Sequence, residues 1–210
     1  MCFIETERLI IRRFVPGDWR DLYEYLSREE VVEFEPYGVY NQADCRKEAD
    51  RRAADERFKA VCLKPDAQKQ ARPSHASKPD GYTPEYPESA HRPQACGKLI
   101  GNIYLSAPED GTCELGYVFN DAFQGMGYAT EAARAVVGDA FANLGARRIV
   151  AMCNPLNVSS WKLLERLGMR REGWLLQNVS FKTDAAGRPV WQDTFEYAIL
   201  ASEYFYRAPD

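Results

Sequence analysis

No run of apolar residues in the chain approaches the roughly 18 that a membrane helix requires. The opening Met1-Cys2-Phe3-Ile4-Glu5-Thr6-Glu7-Arg8 turns charged before the apolar region of a signal peptide can form. A cytoplasmic protein with no membrane partner is expected. There is also no block of one charge. The 27 basic and 31 acidic residues sum to −4, spread along 210 positions, which argues against a nucleic-acid footprint. The six cysteines include no Cys-x-x-Cys pair, so neither the common zinc spacings nor a dense disulfide framework fits. They are read as reduced thiols, with Cys62 and Cys113 as small apolar residues in strands. The chain has only two histidines, His75 and His91. Both fall in one unusual segment, which would have to supply any histidine triad or metal site.

That segment, residues 65–96, holds no Leu, Ile, Val, Met, Phe or Trp in 32 residues, yet six of the 12 prolines. It cannot bury enough apolar surface to offset its ordering entropy, and it reads as a long loop inserted between two strands. The remainder, in a chain 45% apolar and 28% charged, fits a single domain spanning 1–210.

Leu9 to Ile11 predicts a strand ended by the Pro16-Gly17-Asp18 turn, after which Trp19, Leu22, Tyr23 and Leu26 recur at helical spacing. A second helix, about 42–57, carries only Ala and Cys among many charges on its inward face and is placed at the surface. Strands follow at 58–63 and 99–105, then at 113–119 after the Pro108-Glu109-Asp110-Gly111 turn, a hairpin signature. The clearest helix is the apolar stripe Ala129, Ala132, Ala133, Val136, Val137, Ala140, Phe141 and Leu144, closed by Gly145. A strand at 148–153, a short helix at about 159–167 and two strands at about 170–179 and 194–201 complete a mixed α/β pattern. This order implies a mixed sheet with helices on both faces.

The strand at 113–119 runs into that helix through Gln124-Gly125-Met126-Gly127-Tyr128-Ala129-Thr130. Glycine lets backbone approach a ligand closely, and the first amides of a helix point outward with the positive end of its dipole behind them. Such a junction binds phosphate. Two glycines alone would suit any tight turn. A second strand-to-helix junction with Asn154, Asn157 and Ser160 follows, however, so two helix N-termini are expected to converge on one site.

Here the chain resembles the GNAT N-acetyltransferases, whose acetyl-CoA signature Q/R-x-x-G-x-G/A is similar to the stretch from Gln124 to Ala129. Glu114-Leu115-Gly116-Tyr117, the run from Asn154 to Ser160, and Glu165-Arg166-Leu167-Gly168-Met169 through Gly173 are similar to the RimJ/RimL branch, which acetylates N-terminal amines of ribosomal proteins. With Thr6-Glu7-Arg8-Leu9-Ile10-Ile11-Arg12 the resemblance covers nearly everything but the insert. It implies a mostly antiparallel mixed sheet in which two parallel strands splay, with pantetheine against the backbone of Tyr117, Val118 and Phe119. The pyrophosphate would rest on the amides from Gln124 through Gly125, Met126, Gly127, Tyr128 and Ala129 to Thr130. Met126 departs from the family, which often has Lys or Arg in that slot.

The implied reaction is direct attack of a primary amine on the thioester of acetyl-CoA. Glu114, on the strand face opposite Leu115, is the candidate base, with an exposed or ion-paired carboxylate as the alternative reading. The tyrosine that many members use on the departing thiolate is replaced by Leu164. Ser160 is the substitute candidate, and helix capping is its alternative. Asn157 would hold pantetheine and Lys162 approach the phosphates. Trp19, Tyr37, Trp174 and Trp191 are candidates for an acceptor pocket or for core. The expected acceptor is a protein N-terminal amine. The rivals are a small amine (polyamine, amino acid or antibiotic) and a non-catalytic acyl-CoA-binding module. A homodimer is compatible with the sequence, which does not set the oligomeric state.

Overall fold

The computed structural model describes residues 4–70 and 96–206. The chain divides into two compact units, one of residues 1–33, 38–104 and 117–132, the other of 34–37, 105–116 and 133–210. In the first, β1 (Ile4–Glu5), β2 (Leu9–Arg13), β3 (Phe58–Leu63) and β4 (Leu99–Leu105) pair antiparallel in that order. Helices α1 (Trp19–Leu26), α2 (Glu29–Val32) and α3 (Gln42–Ala54) accompany them. Leu9, Ile11, Leu22, Leu26, Val61, Leu99 and Ile103 form the buried core. Most polar groups taken into it are matched, because an unmatched one costs free energy on burial. Arg12 grips Asp18 with two bonds of 2.8 and 2.7 Å, the Leu99 amide donates to Asp21 Oδ2 (3.0 Å), and Tyr25 Oη donates to Asn102 Oδ1 (3.0 Å).

Two expectations are corrected here. Helix α3 lies at the surface as expected, with Arg46, Lys47, Asp50 and Arg51 exposed, but its inward face is not only Ala and Cys, since Glu48 and Arg52 are buried there beside Cys45 and Ala49. Its inward charges hide the amphipathic pattern. Arg52 Nε donates to Glu48 Oε1 one turn earlier (2.7 Å), and its guanidinium lies over the rings of Phe14 and Phe58 at 5.5 and 5.2 Å. The segment read wholly as a loop opens instead with a helix, α4 (Pro65–Gln70), favoured by proline at its first position and Asp66 in its first turn. Residues 71–95, with His75 and His91, lie outside the described residues.

In the second unit, β6 (Arg148–Cys153), β8 (Pro189–Leu200) and β7 (Arg170–Thr183) pair antiparallel in that spatial order. The final hairpin is longer than its residues suggest. Only 170–179 and 194–201 look like strand, because most of β7 is exposed and its register slips where Gln177 takes a positive φ of 47°. Helices α6 (Val158–Arg166) and α7 (Ala201–Tyr206) complete this part.

Strand β5 (Thr112–Phe119) and helix α5 (Tyr128–Asn143) run through both units. The β4–β5 hairpin turns at Asp110 and Gly111, both at positive φ (50° and 74°), as a two-residue Asp-Gly turn demands. Along the sheet the order is β1-β2-β3-β4-β5-β6-β8-β7. Among the described residues β5 and β6 are the parallel pair, and their register covers Thr112–Arg148, Cys113–Ile149 and Glu114–Val150 while β5 extends to Phe119. Gly145, at φ 72°, ends α5 with the Ala146 amide donating back to Ala140 O (3.1 Å).

Candidate active site

The turn from β5 into α5 is built to present backbone. Asn120, buried, accepts the Ala122 amide on Oδ1 (3.0 Å), shaping a one-turn 3-10 segment at Asp121–Phe123, and Arg28 pairs with Asp121 (2.8 Å). The chain then passes through Gly125 and Gly127 at φ 77° and 81°, a left-handed conformation that side chains rarely adopt. A Cβ at Gly125 would meet nothing within 4 Å, so that backbone is open to approach. The ladder of α5 starts where Glu131 donates its amide to Gly127 O (3.0 Å), and the Gln124 amide, ahead of the two glycines, donates to Asp121 O (3.0 Å). Gln124, Gly125 and Gly127 are exposed, Met126, Ala129 and Thr130 half-buried, and Tyr128 buried.

Behind the loop stands a residue that the motif did not reveal. Arg8, just before β2, donates from Nη1 to Met126 O (2.9 Å) and from Nε to Glu131 Oε2 (2.7 Å), and its guanidinium lies 4.5 Å from the centre of the Tyr128 ring. A Cβ on Gly127 would come within 3.4 Å of Arg8 Nη2. The loop whose Met126 lacks the family's usual cation thus has a cation against it from elsewhere in the chain. Glu131 completes the clasp by accepting the Thr6 hydroxyl and the Arg8 amide. Burial pulls its carboxyl up, but the Thr6 hydroxyl, the Arg8 amide and the Arg8 guanidinium outweigh it and hold the group below the usual glutamate value. In the sequence Thr6, Glu7 and Arg8 stand out only through the family resemblance. Their contact with the loop is long-range and leaves no local signal.

Upstream on β5, Val118 is buried, and Tyr117 and Phe119 alternate with it on the other face, ring centres 6.5 Å apart. Phe119 lies against Gly101 on β4, where any side chain would clash with its ring, and the Asn120 amide donates to Ile100 O (2.9 Å). These contacts fix the strand backbone that leads into the loop.

In the second unit, Glu114 is exposed on β5 with Leu115 buried on the opposite face, and its amide donates to Ser106 Oγ (2.8 Å). The turn from β6 into α6 is held by side chains rather than glycine. Asn154 Oδ1 accepts the Leu156 amide (2.9 Å), and Asn157 caps α6 by accepting the Ser160 amide on Oδ1 (3.1 Å). The capping alternative considered for Ser160 therefore belongs to Asn157. The Ser160 hydroxyl bonds to Cys153 Sγ, and burial pushes that thiol up to about 11 against this bond. Leu164 is fully buried and has no proton to give. Lys162 is exposed, its ammonium 5.6 Å from the centre of the Trp161 ring.

Residues 8–170 match the model of the acetyltransferase (GNAT) domain. The chain belongs to the GNAT family. A Bacillus subtilis (strain 168) protein described as uncharacterized N-acetyltransferase YnaD is 31% identical over 204 residues, 96% of this chain and 98% of its own. Among solved structures, an acetyltransferase (GNAT family) from Bacillus anthracis superposes with a TM-score of 0.75 at 29% identity, covering 96% of this chain and all of that one. Spermidine N-acetyltransferase from Vibrio cholerae, solved with CoA and spermine, shares the fold at a TM-score of 0.65 and 18% identity, over 95% of this chain and 99% of that one. The protein is thus a GNAT acetyltransferase with acetyl-CoA as cosubstrate, which sets aside a purely binding module. Among the described residues no helix is long and apolar enough to cross a membrane.

Proposed function

We propose that this GNAT enzyme passes the acetyl group to the N-terminal amine of a protein or peptide, as in the RimJ/RimL branch. The observation that carries this reading is the β7–β8 hairpin. Trp174, Leu176 and Trp191 are exposed there by 60, 69 and 55%, on a hairpin whose outer strand ends the sheet. Exposed aromatic and aliphatic side chains beside a strand edge suit an extended peptide. A polyamine would favour open carboxylates instead, whereas Glu172 is paired with Arg148 and Arg170, Asp184 with Arg188, and Asp193 accepts from Trp174 Nε1 and the Gln177 amide.

In this reading the amides from Gly125 to Thr130 receive the pyrophosphate beside Gln124, whose own amide donates to Asp121 O, and the open backbone at Gly125 together with the Arg8 guanidinium supports that role. The backbone of Tyr117, Val118 and Phe119 receives pantetheine, with Asn157 assisting and Lys162 near the phosphates. Glu114 takes the proton from the attacking amine, directly or through water. Ser160, whose hydroxyl already bonds one sulfur, donates to the departing thiolate. The family match crosses both compact units, which supports one acetyltransferase domain over 1–210. A cytoplasmic location and a possible homodimer belong to the same proposal.

The test is CoA release with a panel of N-terminal peptides against a panel of polyamines, amino acids and aminoglycosides. A kcat/KM at least tenfold higher for a peptide is expected. Turnover confined to the small amines would overturn the acceptor assignment and leave the acetyltransferase in place.

A further inference from the structure

Cys62 lies fully buried on β3, and Cys96, half-buried, is where the chain returns to enter β4. That return is pinned beside Cys62. The Leu63 amide donates to Lys98 O (2.9 Å), the Gly97 amide to Leu63 O (3.0 Å), and the Lys98 amide to Gln68 Oε1 (3.0 Å). Only glycine permits the approach, because a Cβ on Gly97 would come within 2.7 Å of Leu63 O. The two thiols are thereby brought into hydrogen-bond contact, Cys62 Sγ–H donating to the Cys96 sulfur.

A cation shares the pocket. Ile10 on β2 is paired with Cys62, and Arg12 follows two residues along on the same strand face. Its two terminal nitrogens serve Asp18 and Arg13 O, while its Nε is buried without a hydrogen-bond partner among the described residues. A fixed positive charge with a spare donor beside two thiols favours an anionic sulfur and can receive an oxygen placed on it.

We propose that Cys62 and Cys96 are a dithiol that a hydroperoxide oxidises to an intramolecular disulfide. The Cys96 thiolate attacks a peroxide oxygen. The S–O bond forms as the O–O bond breaks, and the alkoxide or hydroxide that leaves takes up a proton to become alcohol or water. Cys62 sulfur then attacks the sulfenic sulfur, its proton passing to the hydroxyl that departs as water, and the S–S bond forms. Two thiols lose two electrons and one peroxide is reduced. The order of attack follows from the contact. Donation from Cys62, aided by Arg12, brings the Cys96 thiol down to about 6, although burial and, less strongly, Asp18 oppose it. Bonding to Cys96 together with burial holds Cys62 well above the ordinary thiol range.

The test treats the reduced full chain with hydrogen peroxide and reads intact mass and a peptide map. A loss of two hydrogens mapping to a Cys62–Cys96 link is expected. Cys62→Ser should instead leave a dimedone-reactive sulfenic acid on Cys96, and Cys96→Ser should give neither product while keeping the activity of the reduced enzyme. A second measurement needs no variant: iodoacetamide labelling of Cys96 against pH should have its midpoint near 6. At pH 7 it should run about fourfold faster than an unperturbed thiol, since the gain in thiolate is partly offset by lower nucleophilicity. Oxidation that maps to other cysteines, or labelling with a midpoint near 9, would overturn the proposal.

Discussion

The two strand-to-helix junctions look alike in sequence and are built differently. The β5–α5 turn relies on backbone: glycines at positive φ, an open approach at Gly125, and a distant arginine bracing Met126 O from behind. The β6–α6 turn relies on side chains: Asn154 and Asn157 take up amides of the turn, and Ser160 is bonded to Cys153. A junction of open glycine backbone braced by a cation suits a multiply charged guest, whereas one that satisfies an amide with its own cap suits rigidity and a single directed hydroxyl. The helix dipole is common to both. What distinguishes them is open glycine backbone at Gly125 in the one and a first turn capped by Asn157 in the other.

The contrast is broken most severely at Gly127. A valine there must adopt φ 81° and place its Cβ 3.4 Å from Arg8 Nη2. The backbone strain alone is about 1–3 kcal/mol, and kcat/KM for acetyl-CoA should fall by about 100-fold or more in steady-state assays. Arg8→Ala comes next. It removes the bond to Met126 O and the pair with Glu131, and acetyl-CoA KM should rise roughly tenfold, in keeping with about 1.5 kcal/mol for hydrogen bonds to a charged group. Asn157→Ala should cost about 1 kcal/mol of stability through the lost cap, read as a lower melting temperature. Asn157→Asp should restore the melting temperature, and any remaining rise in KM would isolate a role toward pantetheine. The smallest effect concerns pH. Glu131 is held below its ordinary value when folded, so its clasp contributes fully above the usual glutamate range and is lost as pH falls through the lowered value. Wild type should lose more stability on acidification than Glu131→Gln, as measured by urea denaturation at pH 7 and at pH 4.

The sequence made the glycine junction plain because Gly125, Gly127 and the Ala-rich stripe of α5 are local signals, and the Asp110-Gly111 hairpin is equally local. Arg8 was not legible as part of the site, since its contact with Met126 crosses 118 positions. The inward face of α3 was misread for a related reason. Glu48 and Arg52 count as surface residues until each is seen to answer the other beneath the rings of Phe14 and Phe58. Ser160 kept its candidacy, but its capping alternative passed to Asn157, a choice between neighbouring polar residues that spacing does not make. Cys62 was read as a small apolar strand residue, which its burial matches. Its contact with Cys96 depends on a return of chain that no local pattern announces.

The central claim is that acetyl-CoA is held through the backbone of the β5–α5 turn. Calorimetric titration of acetyl-CoA into the wild type, Gly127→Val and Asn157→Ala, each checked for folding by circular dichroism, tests it most directly. The account predicts binding by the wild type, binding weakened no more than severalfold in Asn157→Ala, and none detectable in folded Gly127→Val. Equal binding by the wild type and a folded Gly127→Val would contradict it.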